Sequence, residues 1–297
     1  MTNENWFIPA GSRPEAGWTD VVDGRIAGWA HTGLRTGALR DGGELRLPAD
    51  AVERLVVPLA GSFTVAYDGA TQPLDGRASV FEGPTDVLYL GSGTPATITG
   101  EGRVAVAEAP TETVRPSAYI ARDDVPVELR GAGQSSRQVH NFGTPAALDA
   151  ARFIVCEVIT PAGNWSSYPP HKHDTHVGGE ESNLEEIYYY EAAVSRGVAA
   201  PPEAAPFALH RTYASDDRAI DEFRQVRTGD IALVPFGWHG PAVAAPGYDM
   251  YYLNVMAGPD PERVWNITDD PAHGWVRQTW EHEQLDPRLP YRKDPVR

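Results

Sequence analysis

One cysteine, Cys156, stands in 297 residues, so no internal disulfide can form. It lies in the apolar run ARFIVCEVIT and is expected to be a core residue rather than a reactive thiol. Basic residues are also few: 25 Lys and Arg against 41 Asp and Glu leave a formal charge of −16. Nucleic acid and anionic membrane surfaces both require clustered positive charge, so this balance excludes them and favours a small-molecule partner. No window approaches the roughly 18 apolar residues of a membrane-spanning helix. The opening MTNENWFIPAGSRPEAGW has no basic start ahead of an apolar run, so a cytoplasmic setting is expected. Helical periodicity is scarce: TPAALDAARF is the best short candidate, and AIDEFRQV reads as helix or strand.

What is present is the material of many short strands. With 41% hydrophobic residues the chain can fill a core, and 29 Gly and 26 Pro punctuate runs rich in Val, Ile, Leu, Thr and Tyr. An all-β fold follows. Two halves echo one another: PTDVLYLGSGTP, from Pro84 to Pro95, aligns with TGDIALVPFGWH, from Thr228 to His239, when Asp86 is placed on Asp230. Each half then holds a strand-like run, Val87 to Leu90 and Ile231 to Val234, followed by a glycine turn ending at Gly93 and Gly237. A boundary near residue 130 is expected, giving domains 1–130 and 131–297. The tail DPRLPYRKDPVR reads as a surface-bound or frayed end.

The halves differ in their chemistry. His239 falls on Pro95, and no His-x-His precedes Glu53 as His171 and His173 precede Glu186, so only the second half is expected to hold a metal. His171 and His173 are two residues apart, which puts both imidazoles on one face of an extended segment and Lys172 on the other. Glu186 opens the strand EIYYY, and His239 follows the turn PFGW. Three imidazoles and a carboxylate suit a divalent ion, Zn or Mn first and then Fe or Ni, with coordination positions left for water or substrate. Glu185, Glu180 and His176 are rival ligands. Strand alternation puts Tyr188 and Tyr190 on the face of Glu186 and turns Glu185 away. The long polar stretch 174–185 reads as an inserted loop, either a lid or a plain solvent loop.

This order resembles the cupin superfamily, in which His-x-His and a Glu are followed by Gly-Asp, a strand, Pro-x-Gly and a His, here Gly229, Asp230, Pro235, Gly237 and His239. Twelve residues separate His173 from Glu186 where cupins usually have three or four, and Trp238 alone separates Gly237 from His239 where two are usual. The longer phrases WSSYPPHKHD, LEEIYYYE, VPFGWHGPAVAAPGYDMYYLNVMAGP and DDPAHGWVRQTW resemble the 5-deoxy-glucuronate isomerase family of inositol catabolism. The resemblance implies a bicupin, two jelly-roll-like β-barrels in tandem with a degenerate first domain. It also implies a metal-dependent interconversion of the aldose 5-deoxy-D-glucuronate with the ketose 2-deoxy-5-keto-D-gluconate. A cupin oxygenase using iron and a non-catalytic sugar-acid-binding cupin are the alternatives; a homo-oligomer is compatible with all three.

Such an isomerisation moves a proton between adjacent carbons, and Tyr188, Tyr190 and Glu191 are candidates to carry it. A sugar carboxylate needs positive charge, for which Arg137, Lys172 and Arg277 are candidates. His140, close to Arg137, reads as structural. Tyr252 and Asn254 share a face of the strand DMYYLNVM and are expected to line the sugar site.

Overall fold

The structure is a computed structural model that describes residues 6–40, 42–215 and 218–292. It is almost entirely β. The first half forms one eight-stranded antiparallel sheet around two long strands, Val52–Tyr67 and Ala96–Pro110, which pair with each other over most of their length. The second half forms a seven-stranded and a six-stranded sheet. The central members of the first are Ile154–Thr160, Tyr248–Ala257, Glu185–Val194 and Ile231–Val234. The second carries Trp238–Ala244 between Ala208–Tyr213 and His171–Lys172. Both repeated runs are strands, Val87–Leu90 and Ile231–Val234, and both turns end on a glycine at positive φ, 83° at Gly93 and 93° at Gly237. TPAALDAARF forms no helix, because its apolar residues Leu148, Ala150 and Phe153 pack against the shared core. AIDEFRQV supplies the strand Asp221–Val226.

Three apolar cores follow from strand alternation. One fills the first barrel, with Leu45, Val56, Phe63, Leu88 and Val106. A second lines the other barrel, with Ile154, Cys156, Tyr188, Val234 and Met256. The third lies between them and takes the opposite faces of the same strands: Leu55, Val57 and Ala107 from one side, Val155, Ile187, Tyr189 and Leu253 from the other. Strands buried on both faces lose the apolar-polar alternation of a half-exposed sheet, which is why EEIYYYE looks uninterrupted in sequence. Cys156 is fully buried, and that burial pushes its thiol up to about 12, as fits a core residue.

The barrels also exchange polar anchors. Glu53 of the first accepts the N–H groups of Ala151, Arg152 and Phe153 at 2.5, 2.7 and 2.8 Å. Glu185 of the second accepts those of Ala30, His31 and Thr32 at 3.2, 2.6 and 2.6 Å. Two segments depart from the boundary expected near residue 130. Phe7–Ile8 pairs with Ile231 and Ala232, and Val127–Arg130 pairs with Arg137–Gly143, so both extend the second half's sheet. In the tail, Tyr291 is buried and exchanges hydrogen bonds with the Gln138 amide at 2.6 and 3.1 Å. Residues 293–297 of that tail lie outside the described residues.

Candidate metal centre and substrate cavity

His171 and His239 face each other across paired strands, and His173 lies on the residue after His171–Lys172. The three rings gather inside the second barrel, their centroids 4.5 Å (His171–His239), 4.6 Å (His173–His239) and 6.0 Å (His171–His173) apart. One nitrogen from each lies within 4.8 Å of the others. Glu186 Oε2 is 3.1 Å from both His173 Nε2 and His239 Nε2.

The backbone decides which nitrogen of each ring faces that centre. The Nδ1 of His171, His173 and His239 lie 3.3, 3.1 and 3.1 Å from the carbonyl oxygens of Pro169, Leu184 and Gly237. A carbonyl only accepts, so each Nδ1 carries the hydrogen and each neutral ring presents an Nε2 lone pair. Lone pairs and a carboxylate oxygen then converge on one point, which requires positive charge there, a cation or an added proton. Burial and the neighbouring imidazoles His239 and His173 hold His171 well below the ordinary histidine pKa. For His173, burial also opposes the charged form, but the hydrogen bond that its protonated Nε2 donates to Glu186 outweighs it and raises the pKa. Burial would raise Glu186, yet its contacts with His173 and His239 bring it below the usual carboxylate range. His239 Nε2, despite its distance to Glu186, is buried with no hydrogen-bond partner among the described residues. Three nitrogens and one oxygen, with an unsatisfied nitrogen among them, fit a borderline divalent metal.

The rival ligands are elsewhere. Glu185 is committed to the backbone of Ala30, His31 and Thr32, and His176 is exposed and pairs with Asp260 at 2.9 Å. Glu185→Ala is therefore expected to leave metal content unchanged and to lower the thermal midpoint. The loss corresponds to about 1–3 kcal/mol, the cost of leaving the buried Thr32 N–H unpaired, because the Ala30 and His31 N–H groups are only part-buried. Metal analysis and a melting curve on the same sample check both parts.

The first barrel shows why it offers no such centre among its described residues. Arg54 pairs with Leu90 in register as Glu186 pairs with Val234, so Arg54, not Glu53, is the counterpart of Glu186. Its fully buried guanidinium donates to Glu108 at 2.8 Å, and Arg35 meets the same carboxylate at 3.0 Å. A covalently attached cation stands where the second barrel gathers ligands.

A cavity of about 180 Å³ reaches the cluster at His171 and Glu186 and is lined by Tyr188, Tyr252, Asn254, Arg130, Arg137 and Arg277 among others. Tyr188 donates to or accepts from Ser167 at 2.9 Å, and Tyr252 shares a 2.5 Å hydrogen bond with Ser166. Burial pushes both phenols above their ordinary range, so they are neutral donors at physiological pH. Tyr190 is not at the cavity wall; it bonds His210 Nδ1 at 2.7 Å, and His210 in turn meets Thr212 at 2.9 Å. Burial lowers His210 to about 3, so it is a neutral member of this inner network. Glu191 faces the first barrel and is held by Arg103 at 2.7 and 2.8 Å, which removes it from proton transfer in the cavity. Asn254 donates to the Ile187 carbonyl at 3.3 Å.

The cationic candidates separate sharply. Lys172, proposed from sequence as a substrate contact, does not line the cavity: its ammonium pairs with Asp174 at 2.9 Å and Glu181 at 2.7 Å, because alternation turns it away from His171 and His173. Arg277 is a cavity residue already paired with Asp269 at 2.5 and 2.7 Å, and Arg130 pairs with Glu128 at 2.7 Å. Arg137 is buried, donates one hydrogen bond to the Ser135 carbonyl at 2.9 Å, and has no ion pair among the described residues. Burial draws its pKa down to about 10, which leaves it charged at neutral pH. His140 lies on the same strand, fully buried, with Nδ1 2.6 Å from Glu157 and Nε2 2.7 Å from Gln138; it braces the seam and the tail.

Sequence reading missed Ser166, Ser167, Arg130, Trp265 and Trp280. Ser166 and Ser167 were adjacent to the His-x-His in WSSYPP, and Ser167 holds a strained left-handed backbone, φ 51°, at the cavity wall. Trp280, which stacks on Arg137 at 5.7 Å and on Arg277 at 5.3 Å, belongs to the 3-10 segment Gly274–His282 and ends the phrase DDPAHGWVRQTW, whose resemblance carried no role for it.

Two barrels joined through one core, with histidines and a glutamate converging, among the described residues, in the second alone, define a bicupin. The KduI/IolB family model matches residues 7–276, and the chain belongs to that family. It is 38% identical over 278 residues to 5-deoxy-glucuronate isomerase of Geobacillus thermodenitrificans, covering 92% of this chain and 96% of that protein. An IolB-like protein from Salmonella typhimurium LT2 is similar in structure with a TM-score of 0.81 at 36% identity, covering 92% of this chain and 99% of that one. Oxalate decarboxylase of Lactobacillus farciminis, at 11% identity and a TM-score of 0.61 over 91% of this chain and 89% of its own, shares the fold alone.

Proposed function

We propose that the chain is a metal-dependent aldose–ketose isomerase that converts 5-deoxy-D-glucuronate to 2-deoxy-5-keto-D-gluconate in inositol catabolism. The observation that carries the reading is one cavity whose lining holds both chemistries: His171 and Glu186 of the histidine cluster, and the guanidinium of Arg137, which has no ion pair among the described residues. His171, His173, His239 and Glu186 would hold a divalent ion, Zn or Mn before Fe or Ni, and its chemistry there is Lewis acidity toward the sugar carbonyl and the neighbouring hydroxyl. Arg137 binds the sugar carboxylate through its planar fork. Trp265, a cavity residue whose Nε1–H is buried without a partner, offers that hydrogen to a sugar hydroxyl, and Asn254 fixes a second. Isomerisation through an enediol needs a proton delivered to oxygen or carbon. Tyr188, a neutral phenol on the cavity wall, keeps its proton and donates a hydrogen bond to the sugar oxygen on which charge develops, with Ser167 holding its oxygen in place. Tyr190, one layer deeper, orients Tyr188 by stacking at 5.9 Å.

The test is conversion of 5-deoxy-D-glucuronate followed by NMR before chelation, after chelation, and after return of each metal singly. Turnover is expected to vanish on chelation and to return with at least one ion. Full turnover in metal-free protein would refute the metal dependence, and absence of conversion by metal-loaded protein would refute the substrate. Oxygen uptake with the same sugar would favour an oxygenase instead.

A further inference from the structure

The twelve-residue insertion between His173 and Glu186 is a two-stranded ribbon, Asp174–Val177 against Glu181–Asn183. Its first residue, Asp174, directly follows the ligand-type residue His173 and is buried. Asp174 Oδ2 accepts from Gly237 N–H at 2.8 Å, Arg218 Nη2 at 2.7 Å and Ser215 Oγ at 3.3 Å. Its Oδ1 accepts from Lys172 Nζ at 2.9 Å and Thr175 Oγ1 at 3.2 Å. Five donors exceed the four or so lone-pair directions of a carboxylate, so the group is saturated and its position fixed.

Gly237 carries the connection onward, because its carbonyl accepts the Nδ1–H of His239 at 3.1 Å. The peptide cannot easily settle elsewhere: Gly237 has φ 93°, and a Cβ there would meet the Tyr213 carbonyl oxygen at 2.6 Å. A covalent step from His173 to Asp174 and two hydrogen bonds thus span the two strands that bring the imidazoles together. Glu181, across the ribbon, accepts from Lys172 Nζ at 2.7 Å and from the Asp174 N–H at 3.1 Å, holding the carboxylate's other neighbours in place.

We propose that Asp174 is a positioning residue that fixes the direction of the His239 imidazole, through the Gly237 peptide, relative to His173. The proposal rests on the reading of the histidine cluster as a metal site. It assigns the insertion a fixed supporting role in place of a lid. Partners that orient ligating histidines typically contribute 10–100-fold to metal affinity, and the chain Asp174–Gly237–His239 reaches a ligand in two hydrogen bonds.

Cobalt titration of the whole protein tests this through affinity and the visible absorption of the bound ion. Asp174→Ala is expected to weaken Co²⁺ binding by about 10–100-fold and to alter the absorption bands. Asp174→Glu, which keeps the charge facing Lys172 and Arg218 but displaces the oxygen from Gly237, is expected to do the same to a lesser degree. It decides the matter if the alanine variant does not fold. Arg218→Ala removes an ion pair from the same carboxylate and leaves the Gly237 contact, so its affinity and bands should match the wild type. Wild-type affinity and bands in Asp174→Ala, or in Asp174→Glu where the former is unfolded, overturn the proposal, whatever the melting temperature does. Failure of the wild-type protein to bind Co²⁺ removes the metal reading itself, and the proposal with it.

Discussion

Arg137→Ala is expected to raise KM for the sugar acid by about 10²–10³-fold with metal content unchanged, and to leave the protein as stable as before or more so. Both parts follow from one feature. A buried guanidinium with a single carbonyl partner and no carboxylate is an uncompensated charge in the substrate-free protein. In the proposed function the sugar carboxylate supplies the missing counter-charge. Hydrogen bonds to charged groups contribute about 1.5–3 kcal/mol each, so a two-pronged contact accounts for roughly 3–6 kcal/mol, and the predicted fold-change corresponds to the lower part of that range. Arg137→Lys retains charge but not the planar fork and should recover little of the loss. Steady-state kinetics and a melting curve on the same preparations check the prediction. A KM within about threefold of wild type would show that the carboxylate is bound elsewhere, with Arg277 and Arg130 next to be examined even though each already has a carboxylate partner.

The second large effect is expected at His239. Replacement by alanine removes one of three nitrogens from the centre and leaves Glu186 with one fewer contact. Metal occupancy should fall and turnover should drop by at least about 10³-fold, the consequence of losing several kcal/mol of Lewis-acid assistance. A substitution at Pro95, which the repeat places opposite His239, should change neither quantity. Elemental analysis of both variants is the check: equal metal in the two variants and in the wild type would mean that the cluster is not the binding site.

Much of this site is legible in the sequence because strand periodicity is two. His171 with His173, and Glu186 with Tyr188, share a face by spacing alone, and the same rule turned Lys172 and Glu185 outward. What spacing could not convey was depth. Tyr190 obeys the same alternation as Tyr188 yet lies one layer further from the cavity, bonded to His210. Charge pairing was equally hidden: Arg137 and Arg277 look alike in sequence, and only the fold supplies Asp269 to one of them. The one-residue offset between Glu53 and Arg54 is hidden in sequence because each strand carries two adjacent polar residues at or near its start, Glu53–Arg54 and Glu185–Glu186, ahead of a run buried on both faces, so alternation does not mark which of the two points into the barrel. Trp280 ends the phrase DDPAHGWVRQTW, but its place against Arg137, more than a hundred residues away, comes only from the fold.

Arg54 sets the terms for anyone who wishes to build a second active centre in the N-terminal barrel. Grafting histidines onto the positions matching His171, His173 and His239 would place them around a guanidinium that cannot dissociate, and the like charges would repel any incoming ion. Removing Arg54 alone would leave Glu108 dependent on Arg35 in the interior. The redesign has to replace the arginine and answer for Glu108 in the same step, so the two barrels, alike in outline, are separated by a coupled double change rather than by a handful of missing ligands.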